Sequence, residues 1–416
     1  MIDKKQLRSE LFQHIDGIAL TAPISTLFTK HEKIFNFLKT INTTVLNFDE
    51  LILNGINADY LNVTLRLFES QGWLVRKLRN DKSIHVTPTL KGTKIFKNSS
   101  LYHTFFKHFD FLINLDFKND ETHTTINKIL YDYENIKNHT NNTNIIKHIE
   151  GLILGSILVN LSINKYLEIN QNDKLIFNES LNKLNVESII NIFNKFNFMN
   201  NDIINEKGKF FIKRSAAYGV TVSYMPLFNQ MEILLFGNTK NILSRDENNN
   251  ETHVNRKMNV WGSGGAHKLY FKKIDEIILE IFNKPLENQP KGIADMGCGD
   301  GTLLIHLYNL IKTKTLRGKY LDSYPLHIIG ADFNDEALEV TGKNLNFNKI
   351  KHFLVKADIG NPENFNDELE KKYNIHLNDL LSVRSFLDHN RIFEMPNIKK
   401  FNLDKITTKS TSAFCI

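Results

Sequence analysis

The sequence predicts an α/β chain. A doubly wound, Rossmann-like domain over residues 251–416, holding the first four strands of its sheet, follows a largely helical, winged-helix-like region. Three observations carry this. GIADM (292–296) climbs through apolar residues to an acid, meets the turn GCGDG, and continues into TLLIHLYNLIK with apolar residues at helical spacing. HIIGADFN (327–334) and KHFLVKADI (351–359) repeat the run from apolar strand to acid, one strand–helix–strand step apart. Upstream, 48–96 reads as two short helices and a hairpin, and part of that pattern returns near 184–213.

Taken in order, FDELILNGI suggests a short helix and ADYLNVTLRLFESQGWL a second, stopped at Gly72. LVRKLRNDKSIHVTPT then reads as two strands around Asn80-Asp81, a wing. LNVESIINIFNKFNFMN echoes LNVTLRLFESQGWLV, and EKGKFFIK echoes LKGTKIFK, which predicts two winged-helix-like units near 40–100 and 145–213. DYENIKNHTNNTN (132–144) is polar and reads as a linker between them. The expected domains are 1–140, 141–250 and 251–416. DEALEVTGKNLNF predicts a further helix, and DLLSVRSFLDHNRIF (379–393) a fourth strand and its loop.

With 41% hydrophobic and 24% charged residues over 416 positions, the composition is that of a folded globular chain with more than one domain. Cys298 and Cys415 are the two cysteines, which excludes a disulfide framework and argues against a zinc site. MIDKKQLRSELF lacks the apolar core of a signal peptide, and GLILGSILVNLSI (151–163) reads as too short and polar to span a membrane. A cytoplasmic location is expected. The net charge of +6 comes from dispersed lysines. The second helix of the winged unit offers Asn62, Thr64, Arg66, Glu69 and Gln71, and its echo Glu187, Asn191, Asn194 and Lys195, a poor phosphate-binding face. These units are therefore expected to pair chains into a homodimer and to build a lid, with no nucleic acid as partner.

The glycine turn is the main clue to chemistry. A dinucleotide fingerprint would need glycine where Thr302 stands, and the Walker lysine is absent. What remains is an acid, Asp295, followed by Gly297, Gly299 and Gly301 at alternate positions, a backbone that can approach a ligand closely at a helix N-terminus. Asp332 has two oxygens for two ribose hydroxyls, and Asp358 can accept from an adenine amino group; the alternative is that these acids cap the following helices. Gly262, Gly264 and Gly265 with Ser263 read as an N–H-rich loop that wraps a carboxylate or closes over substrate, or else as a plain hinge.

The pattern resembles the first motif of class I S-adenosylmethionine-dependent methyltransferases. With NVWGSGGAH (259–267) and RSFLDHNR (384–391), roughly 140–416 resembles a bacterial methyltransferase group. That group includes protein-lysine methyltransferases of the rickettsial outer-membrane-protein type and relatives in polyketide assembly lines. The resemblance implies S-adenosylmethionine as cofactor, held by Asp295, Gly297, Gly299, Gly301, Asp332, Asp358, Gly262 and Gly264. It implies methyl transfer to a protein lysine, or alternatively to carbon or oxygen of a small or carrier-bound molecule. Arg384, Asp388 and His389 are the candidate catalytic residues, for proton removal or for holding an ammonium, unless they merely brace a loop. A non-catalytic winged-helix binding protein would leave the three acids unexplained. A full domain of this family has seven strands, so the chain is expected to be truncated and weakly active.

Overall fold

The computed structural model describes residues 3–40, 55–79, 84–242, 244, 246–247 and 251–385. They fall into two compact units, one within Met1–Ser263 and one within Gly264–Leu403.

The first unit is built on two long helices, α1 (Lys4–Lys30) and α8 (Thr143–Ile163). Asp3 caps the first and Asn142 the second by accepting from backbone N–H groups. Following α2 (Glu32–Lys39), the chain forms α3 (Ala58–Ser70), the antiparallel hairpin β1 (Leu74–Leu78) and β2 (Ile84–Pro88), α4 (Leu90–Phe96) and α5 (Ser99–Phe106). This is the winged unit the sequence predicts; FDELILN and the turn Asn80-Asp81 lie outside the described residues. Gly72 ends its helix in the left-handed region, φ +68°. Next come α6 (Phe109–Ile113) and α7 (Thr122–His139). The expected linker is thus mostly helix. Ile126, Ile129, Leu130, Tyr133 and Ile136 recur at helical spacing and are buried, which outweighs the polar letters between them.

After α8 come the short pair β3 (Leu167–Ile169) and β4 (Leu175–Phe177), α9 (Lys183–Lys195), the two-residue strands β5 (Met199–Asn200) and β6 (Ile203–Ile204), and α10 (Glu206–Ile212). Helices α11 (Ala216–Ser223), α12 (Met225–Asn229) and α13 (Met231–Phe236) follow. At 21 residues and mean hydropathy 1.4, α8 is longer than the apolar run suggested and passes the length and polarity test for a membrane span. Of its apolar window, 78% is buried inside the protein, the position of a core helix.

Both winged units use one device at the end of the hairpin. Thr89 Oγ1 accepts from Gly92 N at 3.1 Å, and Asn205 Oδ1 from Gly208 N at 3.0 Å. A Cβ on Gly92 would lie 2.0 Å from the Trp73 carbonyl oxygen, and one on Gly208 2.4 Å from that of Phe198. Gly92→Ala and Gly208→Ala are therefore each expected to cost about 1–3 kcal/mol by overpacking, read as a lower Tm.

Helix α14 (Arg256–Phe282) leads to the second unit. Its sheet is parallel, in the order β10 (Leu380–Val383), β7 (Gly292–Met296), β8 (His327–Asp332), β9 (Phe353–Lys356). Helices α15 (Thr302–Lys314), α16 (Asp335–Phe347) and α17 (Pro362–Tyr373) connect them. Ile293 and Ile328 pack on one face with Phe271, Ile278, Phe282, Leu304, Leu307 and Leu345. Ala294, Ile329 and Val355 pack on the other with Phe365 and Leu369. Helices thus cover both faces, and the strands are short apolar runs, as a doubly wound sheet requires. The predicted fourth strand is observed over four residues, Leu380–Val383; Arg384 and Ser385 follow outside it, so the strand is shorter than expected, and residues 386–388 lie outside the described residues.

Candidate functional site

Because all four strands are parallel, their carboxyl ends share one edge of the sheet. Asp295, next to last in β7, lies opposite Val383 of β10 and Gly330 of β8, and Asp332 ends β8 opposite Lys356 of β9. Open sheets of this kind take ligands at that edge. The structure brings Asp295, the glycine turn, Asp332 and Asp358 there, with Arg384 directly after β10.

The turn needs glycine for two separate reasons. Gly297, Gly299 and Gly301 have φ of +81°, +57° and +75°, the left-handed region that other residues enter at a cost. A Cβ on Gly299 would meet nothing within 4 Å, so the turn leaves open space there, whereas one on Gly301 would meet Thr341 at 3.0 Å. Asp332 fixes the turn from the neighbouring strand: its Oδ2 accepts from Gly299 N at 3.1 Å and its Oδ1 from Asn334 N at 3.0 Å. From α16, the Thr341 hydroxyl donates to Gly299 O at 3.0 Å and the Asn344 amide to Asp300 O at 2.8 Å.

Asp295 is 2% exposed, and its Oδ1 has no hydrogen-bond partner among the described residues. Burial, then the charges of Asp332 and Asp300, push its carboxyl up to about 7. Cys298 is buried beside Thr341 Oγ1 at 3.4 Å, and burial pushes its thiol up to about 12, so it is an inert thiol. Asp358 is exposed and accepts from Gly360 N at 2.8 Å. That bond closes a local turn and leaves the second oxygen unused, while Asn361 caps the following helix by accepting from Asn364 N, so Asp358 is not the helix cap that the sequence left open. Phe333, immediately after Asp332, is 67% exposed.

Two expectations need correction or lie out of reach. NVWGSGGAH is not a loop: residues 259–267 lie inside α14. Gly262 serves close helix packing, since its Cβ would lie 2.7 Å from Val220 N and one on Gly219 2.7 Å from Gly262 Cα. Gly264 is helical too; its Cβ would come no nearer than 4.0 Å to Asp300 Oδ2. Neither glycine offers free N–H groups from a flexible segment. Asp388 and His389 lie outside the described residues.

Sequence reading missed Thr341 and Asn344, although their spacing of three on a predicted helix places two polar groups on one face. It missed Phe333 because a single aromatic beside an acid is unremarkable until its exposure is known.

Three family models match the chain. The AprA MT2-like domain matches residues 251–415, the AprA winged helix domain 150–238 and the AprA N-terminal domain 7–76. No curated protein matches it. Over these segments the chain is thus similar to an AprA MT2-like, methyltransferase-type domain preceded by AprA-type N-terminal and winged-helix domains.

Proposed function

We propose that this chain binds S-adenosylmethionine at the glycine turn and transfers its methyl group to an acceptor held at the same edge of the sheet. The open space at Gly299 and the unpartnered, buried carboxylate oxygen of Asp295 fit a cationic ligand, and they carry the reading. Asp332 would hold the ribose hydroxyls and Asp358 the adenine amino group, while Phe333 would stack on the base. When bound, S-adenosylmethionine supplies an electrophilic methyl on a sulfonium. The chain's own task is to align the acceptor and keep it deprotonated. Arg384, followed by Asp388 and His389, is the candidate group for that task.

Two further outcomes follow. Phe333→Ala should weaken donor binding by about 1–3 kcal/mol of stacking, measured by calorimetry. Donor affinity should rise between about pH 6 and pH 8, because Asp295 must lose its proton before it attracts a cation. A flat profile over that interval would remove Asp295 from the site.

The acceptor has two readings. Protein lysine follows from the sequence resemblance. A small or carrier-bound molecule is the alternative, and the AprA MT2-like match supports methyl transfer with either acceptor. The test is transfer of labelled methyl from S-adenosylmethionine to a lysine-rich protein and, separately, to a carrier-bound thioester. Label on one acceptor selects its class; label on neither, with donor bound, contradicts catalysis by this chain.

A further inference from the structure

We propose that the first unit is an internal duplication, two winged-helix halves of one chain that pair with each other as two subunits would, so that the chain works without a second copy. The two long helices carry the same four-residue pattern, His14-Ile15-Asp16-Gly17 in α1 and His148-Ile149-Glu150-Gly151 in α8, 134 positions apart. At their crossing the contacts are reciprocal. A Cβ on Gly17 would lie 2.3 Å from His148 Cα, and one on Gly151 2.2 Å from His14 Cα. Each histidine then reaches a tyrosine from the other half: His14 Nδ1 to Tyr218 Oη at 2.8 Å and His148 Nδ1 to Tyr102 Oη at 2.7 Å. A contact of residue i with j matched by j with i is the mark of a two-fold interface between like subunits.

The rest of each half follows the same plan. Trp73 N donates to Phe68 O, and Phe198 N to Phe193 O, 125 positions on. The residue before each, Gly72 and Asn197, has positive φ. Thr89 N donates to Trp73 O and Asn205 N to Phe198 O, both at 2.9 Å. Thr89 and Asn205, Gly92 and Gly208, Ser99 and Ser215, and Tyr102 and Tyr218 all stand 116 apart. The offset drops because the first half has longer connections, including the five-residue strands β1 and β2 against the two-residue β5 and β6. The sequence echo of LNV with LNV was out of register by two positions: the shared skeleton aligns Leu61 with Val186.

The halves have diverged at one point. Around His14 stand Glu150 at 3.6 Å and Glu10 at 3.8 Å, with Lys147 and Lys207 paired to those acids. Those lysines already balance the carboxylates, so this network braces the interface.

The consequence is that the surface each half would offer to a second copy is filled by the other half. Sedimentation velocity on the full chain, from low to high micromolar concentration, should show a monomer throughout; a stable dimer would overturn the proposal. Tyr102→Phe and Tyr218→Phe each delete one of the two reciprocal bonds, and both should lower Tm by several degrees. A variant with unchanged Tm would show that its bond does not join the halves, and the two-fold pairing would fail.

Discussion

Replacing Asp332 with alanine should lower the affinity for S-adenosylmethionine by roughly 30- to 1,000-fold. Two charge-assisted hydrogen bonds to ribose hydroxyls are worth about 2–4 kcal/mol together. The same carboxylate also holds Gly299 N and Asn334 N, so its loss should also loosen the glycine turn. Asp358→Ala should cost less, because that carboxyl is exposed and its bond to Gly360 N serves a local turn. Calorimetry on both variants, with circular dichroism to check folding, orders the two effects. Equal losses would mean that the ribose and adenine assignments are not distinct.

Acidification should unfold the first unit through its buried histidines. His148 is 2% exposed, bonded to Tyr102, with its ring 5.9 Å from that of Trp73. Burial, then the charges of His14 and Lys91, hold its pKa down to about 3. The unfolded chain, with an ordinary value of 6.5, takes up the proton first. Stability is therefore full above about pH 6.5 and declines as the pH falls toward 3, by on the order of 5 kcal/mol. Glu150 works in the same direction. Burial raises its pKa, but nearby His14 and the bonds from Lys147 and Tyr133 outweigh that and bring it to about 2, so its contribution fades as pH drops below its ordinary 4.5. A loss of this size is comparable to the stability of a typical domain. Near-ultraviolet dichroism and tryptophan fluorescence should show a cooperative transition between about pH 6 and pH 3. Native signals persisting at the acid end would show that these groups are not buried as described.

The parallel sheet and its glycine turn were legible because their demands are local. A strand buried on both faces must be apolar, and a left-handed turn must be glycine, so GIADMGCGDG states its own conformation. The same logic misled at NVWGSGGAH. Glycines there mark a close approach of two helices, at Gly219 and Gly262, and a partner 43 positions away cannot be seen in a local reading. DYENIKNH was misread for a related reason, since Tyr133 and Ile136 at helical spacing matter more than the polar residues around them. The patterns HIDG and HIEG stand in plain letters, but four letters carry no weight until their reciprocal contacts pair them. Thr341 and Asn344 became visible only when α16 was seen to clasp the glycine turn.

The most direct test of the central claim is calorimetric titration of the full chain with S-adenosylmethionine near neutral pH, repeated in buffers of different ionisation heat. Saturable micromolar binding accompanied by proton release is expected, as Asp295 ionises beside the cation. Absence of binding at millimolar donor, or binding with no proton released, would contradict that claim.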